Sequence, residues 1–123
     1  MTLSIRFERG AKGCAVAQGF CVSILYDRIA AGLAPSLVAL GPRSRGMPLH
    51  EIEAANALRL AGIPEDQMRA AVAQIIESRA LGNRAPAIVQ SIVDAALAHS
   101  AAEDVARGGR VAKDASRRRE VWR

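Results

Sequence analysis

The residues best suited to chemistry stand together at the end of the chain. Arg107, Arg110, Lys113, Arg117, Arg118, Arg119 and Arg123 share the last 17 positions with Trp122. A guanidinium offers a phosphate or carboxylate two parallel hydrogen bonds, and an indole face stacks on an unpaired base. Only Asp114 and Glu120 oppose these seven cations, so the segment carries +5, the formal net charge of the whole chain. The first 106 residues hold ten basic and ten acidic side chains and sum to zero. The sequence therefore divides into a neutral body, 1–106, and a basic tail, 107–123. Such asymmetry points to an acidic partner: nucleic acid, a phospholipid surface or an acidic protein surface. Arg43 and Arg45 lie in a Gly-, Pro-, Arg- and Ser-containing stretch, 41–47, without periodicity. It reads as an exposed loop that would extend the surface of the tail.

No other combination rises to a reactive site. His99 and Glu103 are four apart on one helical segment, a spacing that permits a general-base pair. No nucleophile is tied to them, and a surface pair explains them as well. His50 with Glu51 and Glu53 fails as a ligand set because consecutive helical residues point in different directions. Cys14 and Cys21 make no zinc spacing with His50 and His99 and read as two buried thiols. No glycine loop suited to phosphates is present; Gly108-Gly109 is a helix breaker. The expectation is a non-enzymatic chain with no cofactor and no metal.

Residues 49–61, Gly62-Ile63-Pro64 and 65–80 have roughly the lengths of a helix-turn-helix. That motif needs a small residue four positions before the turn glycine, where this segment has Leu58. Glu65-Asp66 would also face DNA phosphates, so an ordinary helical hairpin is the better reading. A ribbon-helix-helix arrangement fails because no turn and second helix follow the first strand at the required distance.

The elements that must position these groups are mostly helical. Leu3, Ile5 and Phe7 alternate with polar residues and predict a half-buried strand. Its partner is either residues 14–18, through a turn at Gly10–Gly13, or a second copy of the chain. Phe20, Ile24, Leu25 and Ile29 predict a helix within 20–33. Pro35 fits the start of a short helix that Gly41-Pro42 would end. Leu49, Ile52 and Leu60 predict a helix over 49–61. Met68, Val72, Ile75 and Ile76 form an apolar stripe after Pro64-Glu65-Asp66, a proline-and-acid helix start. Gly82-Asn83 closes that helix and caps the next. There Ile88, Val89, Ile92, Val93, Ala96 and Leu97 form the inner face of a helix reaching about Arg107. The apolar run 13–26 is too short to span a bilayer and reads as core.

The fold expected is mainly α: a compact bundle of four or five helices with an N-terminal β-strand or hairpin. The function expected is that of a small cytoplasmic accessory protein, of the kind carried by phages and other mobile elements, whose tail contacts nucleic acid. The alternative is an adaptor or inhibitor subunit docking through tail and strand. A homodimer through the N-terminal strand is consistent with either.

Overall fold

A computed structural model describes residues 5–107, with side chains described for residues 5–102. The fold is mainly helical with a small antiparallel sheet, as the periodicities predict. Chain order is β1 (Phe7–Arg9), α1 (Ala11–Ala17), α2 (Val22–Ala30), β2 (Val38–Gly41), β3 (Ser44–Pro48), α3 (Leu49–Leu60), α4 (Glu65–Glu77), a 3-10 segment (Ser78–Arg84) and α5 (Ala85–Arg107).

The sheet order is β1-β3-β2. Phe7 pairs with Pro48 and Arg9 with Gly46, while Val38 pairs with Gly46 on the other side of β3. The partner of the first strand is thus β3, not residues 14–18, which form helix and turn. The stretch 41–47 is not an irregular loop: it is the tip and returning strand of a β2–β3 hairpin. Pro35 opens no helix, since the chain runs extended into β2. Gly46 is what permits three strands to meet here. A Cβ at Gly46 would collide with the carbonyl oxygen of Glu8 on β1, and would stand 2.8 Å from Leu40 Cδ1 on β2.

Two apolar clusters form the interior. One joins Cys14, Ala15, Leu25, Ala34, Met47 and Ile52 beneath the sheet and the first two helices. The other fills the α3–α4–α5 bundle around Leu58, Met68, Val72, Ile75, Val89 and Val93. Helix α3 is the shared wall, giving Ile52 to the first cluster and Ala54, Ala55 and Leu58 to the second. The stripe expected on α4 is buried as predicted, with Ile76 partly so. Leu60 is not: it is 90% exposed, and Leu58 takes the inward position. The cysteines also divide, Cys14 being buried and Cys21 exposed.

A buried ion pair bolts the two clusters together. Glu51 on α3 has no exposed surface. Arg79 donates to both of its carboxylate oxygens, from Nε at 2.9 Å and from Nη2 at 2.6 Å. The same guanidinium donates to Ser36 Oγ at 3.0 Å and to the Ser36 carbonyl at 2.7 Å, just before β2. A carboxylate left alone in such a place is costly, whereas an apolar pair of similar volume is tolerated. Arg79→Met should therefore lower unfolding stability by roughly 3–5 kcal/mol, and adding Glu51→Leu should recover much of that loss. Ile75→Ala should cost about 2–5 kcal/mol, while Leu60→Ala should stay within about 0.5 kcal/mol. Urea denaturation of the four variants checks all of these values.

Candidate nucleic-acid interface

The N-terminal unit carries two short helices in succession, joined by a tight turn. Helix α1 ends at Ala17, and Gln18-Gly19-Phe20-Cys21 leads into α2. The end of α1 is closed by a double hydrogen-bonded motif: Gly19 N–H donates to the Val16 carbonyl at 3.0 Å and Phe20 N–H to the Ala15 carbonyl at 2.8 Å. That closure requires a left-handed residue just past the cap, and Gly19 has φ 79°. Ala15, four positions earlier, is completely buried in the same cluster as Leu25 of α2. This is the small residue four before a turn glycine that residues 49–80 lack. The signal was present in the sequence, but inside an apolar run that reads as core.

The run is only half core. Cys14, Ala15 and Leu25 are buried, whereas Val16, Val22, Ile24 and Tyr26 are exposed. On α2 the inward positions are Leu25 and Ile29; Val22, Ser23, Tyr26, Asp27 and Ala30 form one continuous outward face. Val22 and Tyr26 thus stand exposed among the polar side chains of this face.

The hairpin stands beside that face. Its tip, Gly41-Pro42-Arg43-Ser44-Arg45, borders an open cleft of about 410 Å³ that Tyr26 also lines. Gly10 N–H donates to the Arg45 carbonyl at 2.7 Å and ties the hairpin to the start of α1. The side chains of Arg43 and Arg45 are exposed, and neither guanidinium has an ion pair or hydrogen bond among the described residues. Both are exposed, but not on a loop as the sequence predicts: Arg43 lies at the hairpin turn and Arg45 in β3 opposite Ala39, next to α2. Arg107 belongs to α5, its side chain outside the described residues. Arg110, Lys113, Arg117, Arg118, Arg119, Trp122 and Arg123 lie wholly outside them, as does the side chain of Glu103, the proposed partner of His99.

The neutral body is electrically divided. Residues 1–48 contain six basic side chains (Arg6, Arg9, Lys12, Arg28, Arg43, Arg45) against Glu8 and Asp27, a net +4. Residues 49–106 contain four basic side chains against eight acidic ones, a net −4. The two halves cancel in the sum but not in space.

Residues of the bundle position the site. Asn56 Nδ2 donates to the Ala17 carbonyl at 3.1 Å, and Arg59 Nη2 to the Gln18 carbonyl at 2.6 Å. Arg59 also lies 4.3 Å from the Phe20 ring centroid, and Arg28 lies 5.0 Å from it. Burial, then the neighbouring charge of Arg28, lowers the Arg59 pKa, although an arginine remains protonated in such a setting. Arg69 Nε of α4 donates to the Ala31 carbonyl at the end of α2, at 2.9 Å. Buried Gln18 joins α1 to β3 through Met47 Sδ at 3.4 Å. The Asn56, Arg59 and Arg69 roles are not readable from sequence spacing, because each of their bonds joins residues about forty positions apart.

Among the described residues, no group of three or more His, Cys, Asp and Glu is placed to hold a metal ion. No described helix is long and apolar enough to cross a membrane. No protein-family model matches the chain, and no curated protein or solved structure matches it.

Cys21 caps the N-terminus of α2, its sulfur 3.4 Å from Ser23 Oγ. That hydroxyl is the main reason its thiol pKa falls below the usual value, while burial raises that of Cys14. At pH 7 Cys21 therefore carries more thiolate than an ordinary cysteine, and its reaction–pH profile shifts to lower pH. A chromogenic disulfide reagent should titrate one thiol per chain in the native protein and both after unfolding. Two fast thiols, or none, would contradict the assigned burial.

Proposed function

We propose that the chain is a non-enzymatic protein that binds duplex DNA. The outward face of α2 would lie in the major groove, Arg43 and Arg45 would hold flanking phosphates, and the basic tail would add contacts that carry no sequence information. The observation behind this reading is the pair of unpartnered arginines at the hairpin tip beside the exposed face of a second, turn-linked helix. In helix-turn-helix proteins this second helix presents its N-terminal residues to base edges. The face offers the right chemistry for reading bases. Ser23 bonds either class of edge, Asp27 accepts from a cytosine amino group, and Val22 suits a thymine methyl. A single-stranded partner is less well served, since among the described residues this face presents one ring, Tyr26, rather than a stacking platform.

The division of labour is measurable by fluorescence anisotropy on duplexes across a salt series. Each phosphate contact contributes about −0.9 to the slope of log affinity against log salt. Arg43→Ala with Arg45→Ala should flatten the slope by about 1.8, and triple replacement of Arg117, Arg118 and Arg119 by about 2.7. Ser23→Ala and Asp27→Ala should leave the slope alone and change which sequences are selected from a random pool. Bound duplex should also protect Cys21 from the thiol reagent. Salt-insensitive, weak binding together with stoichiometric co-purification of one protein would replace this reading with that of an adaptor subunit.

A further inference from the structure

A second cleft, about 220 Å³, runs between α3 and α5 on the bundle. Its floor is apolar, formed by Ala57, Val89, Val93 and Leu97. Glu53 of α3 stands on its rim, and Asp94 lies one turn along α5 from Gln90, another rim residue, which donates to it at 2.9 Å. At the rim, the Nε2 atom of His50 is buried with no hydrogen-bond partner among the described residues. Apolar floor, acidic rim and an unsatisfied polar atom together describe a surface suited to a basic segment with apolar side chains.

Among the described residues no arginine or lysine lines that cleft. Of its four arginines between 49 and 106, Arg59, Arg69 and Arg79 are each committed to a carbonyl of the N-terminal unit. We infer that the cleft is the docking site of the chain's own tail, residues 108–123, with Val121 and Trp122 on the floor and Arg117–Arg119 against Glu53 and Asp94. Charge is complementary: residues 108–123 hold six basic and two acidic side chains, net +4, facing a bundle of net −4. Length is sufficient. Leu97 lies ten residues before the end of α5, about 15 Å along the helix axis, and Gln90 about 26 Å. Sixteen residues reach about 53–58 Å when extended, and Gly108-Gly109 permits a reversal at the helix end. A tethered segment acts at an effective concentration in the millimolar range, so a weak intrinsic contact is enough. The docked tail holds its arginines away from other anions until a stronger polyanion competes for them.

Trp122 is the only tryptophan in the chain, so its fluorescence reports the tail alone. The experiment uses the full chain without DNA, so its outcome does not depend on whether the duplex-binding reading is correct. Native protein should show blue-shifted emission and protection from acrylamide relative to the urea-unfolded chain, unchanged on dilution. Glu53→Lys with Asp94→Lys, both at exposed positions, should abolish the shift and the protection while circular dichroism stays constant. Replacing Arg117, Arg118 and Arg119 by Ala should do the same from the side of the tail, where the body's fold is untouched. A native spectrum equal to that of the unfolded chain would overturn the inference. Protection that disappears on dilution would assign the cleft to a second copy instead, and protection that survives charge reversal would place the tail elsewhere.

Discussion

Arg59, Arg69 and Arg79 come from three consecutive segments of the bundle, and each ends on a main-chain carbonyl of the N-terminal unit. They reach Gln18 at the end of α1, Ala31 at the end of α2 and Ser36 at the entrance to β2. The last carbonyls of a helix have no intrahelical donor and carry the negative end of its dipole, so a guanidinium there satisfies a bond and a field together. The first helix has seven residues and the second nine, lengths that are not stable alone. What fixes the direction of α2 and the base of the hairpin is therefore the bundle, through these cations, as well as the cluster beneath it. The position of α2 is thus set by elements distant from it in sequence, as any helix proposed to present a binding face requires.

The same commitment sets the electrostatics. Three of the bundle's positive charges are turned toward the N-terminal unit; Arg79 is paired with buried Glu51, and Arg69 with exposed Glu65 at 3.4 Å. The carboxylates Glu53, Glu65, Asp66, Glu77 and Asp94 remain exposed on the outside. On the N-terminal unit the balance reverses, because Arg6, Arg9, Lys12, Arg43 and Arg45 are all exposed. A molecule polarised in this way meets a polyanion in a preferred orientation before any contact forms, with effect within about a Debye length, 8 Å at physiological salt. The net charge of the body, being zero, conveys none of this.

What the sequence disclosed and what it hid follow from the range of the interactions. Helices α4 and α5 were legible because Met68, Val72 and Ile75, then Val89 and Val93, repeat at helical spacing against a single bundle core. The hairpin was not legible. Gly41, Pro42, Gly46 and Pro48 read locally as breakers, and only pairing across β1 and β2 makes Gly46 a requirement of the strand. Helix α1 was obscured by Gly10 and Gly13, which look like a turn, although Ala15 and Gly19 already carried the geometry of a close helical corner. Val22, Ile24 and Tyr26 were assigned to the core because hydrophobicity alone cannot distinguish a face buried in the fold from one reserved for a partner.

The placement of Cys21 connects these levels. It caps the helix proposed to read bases, and its thiol is acidified by Ser23, a residue of the same outward face. A cap residue that is exposed rather than buried contributes little to the core, so its cost and benefit lie at the surface. Ser23 is likewise engaged with that sulfur and also available to a base edge. The Ser23 hydroxyl is the first of several hydrogen bonds that lower this thiol pKa, main-chain groups of Cys21, Ser23 and Ile24 adding to it. The turn closed by Gly19 and clamped by Arg59 at the Gln18 carbonyl delivers both side chains to the same exposed edge of the molecule.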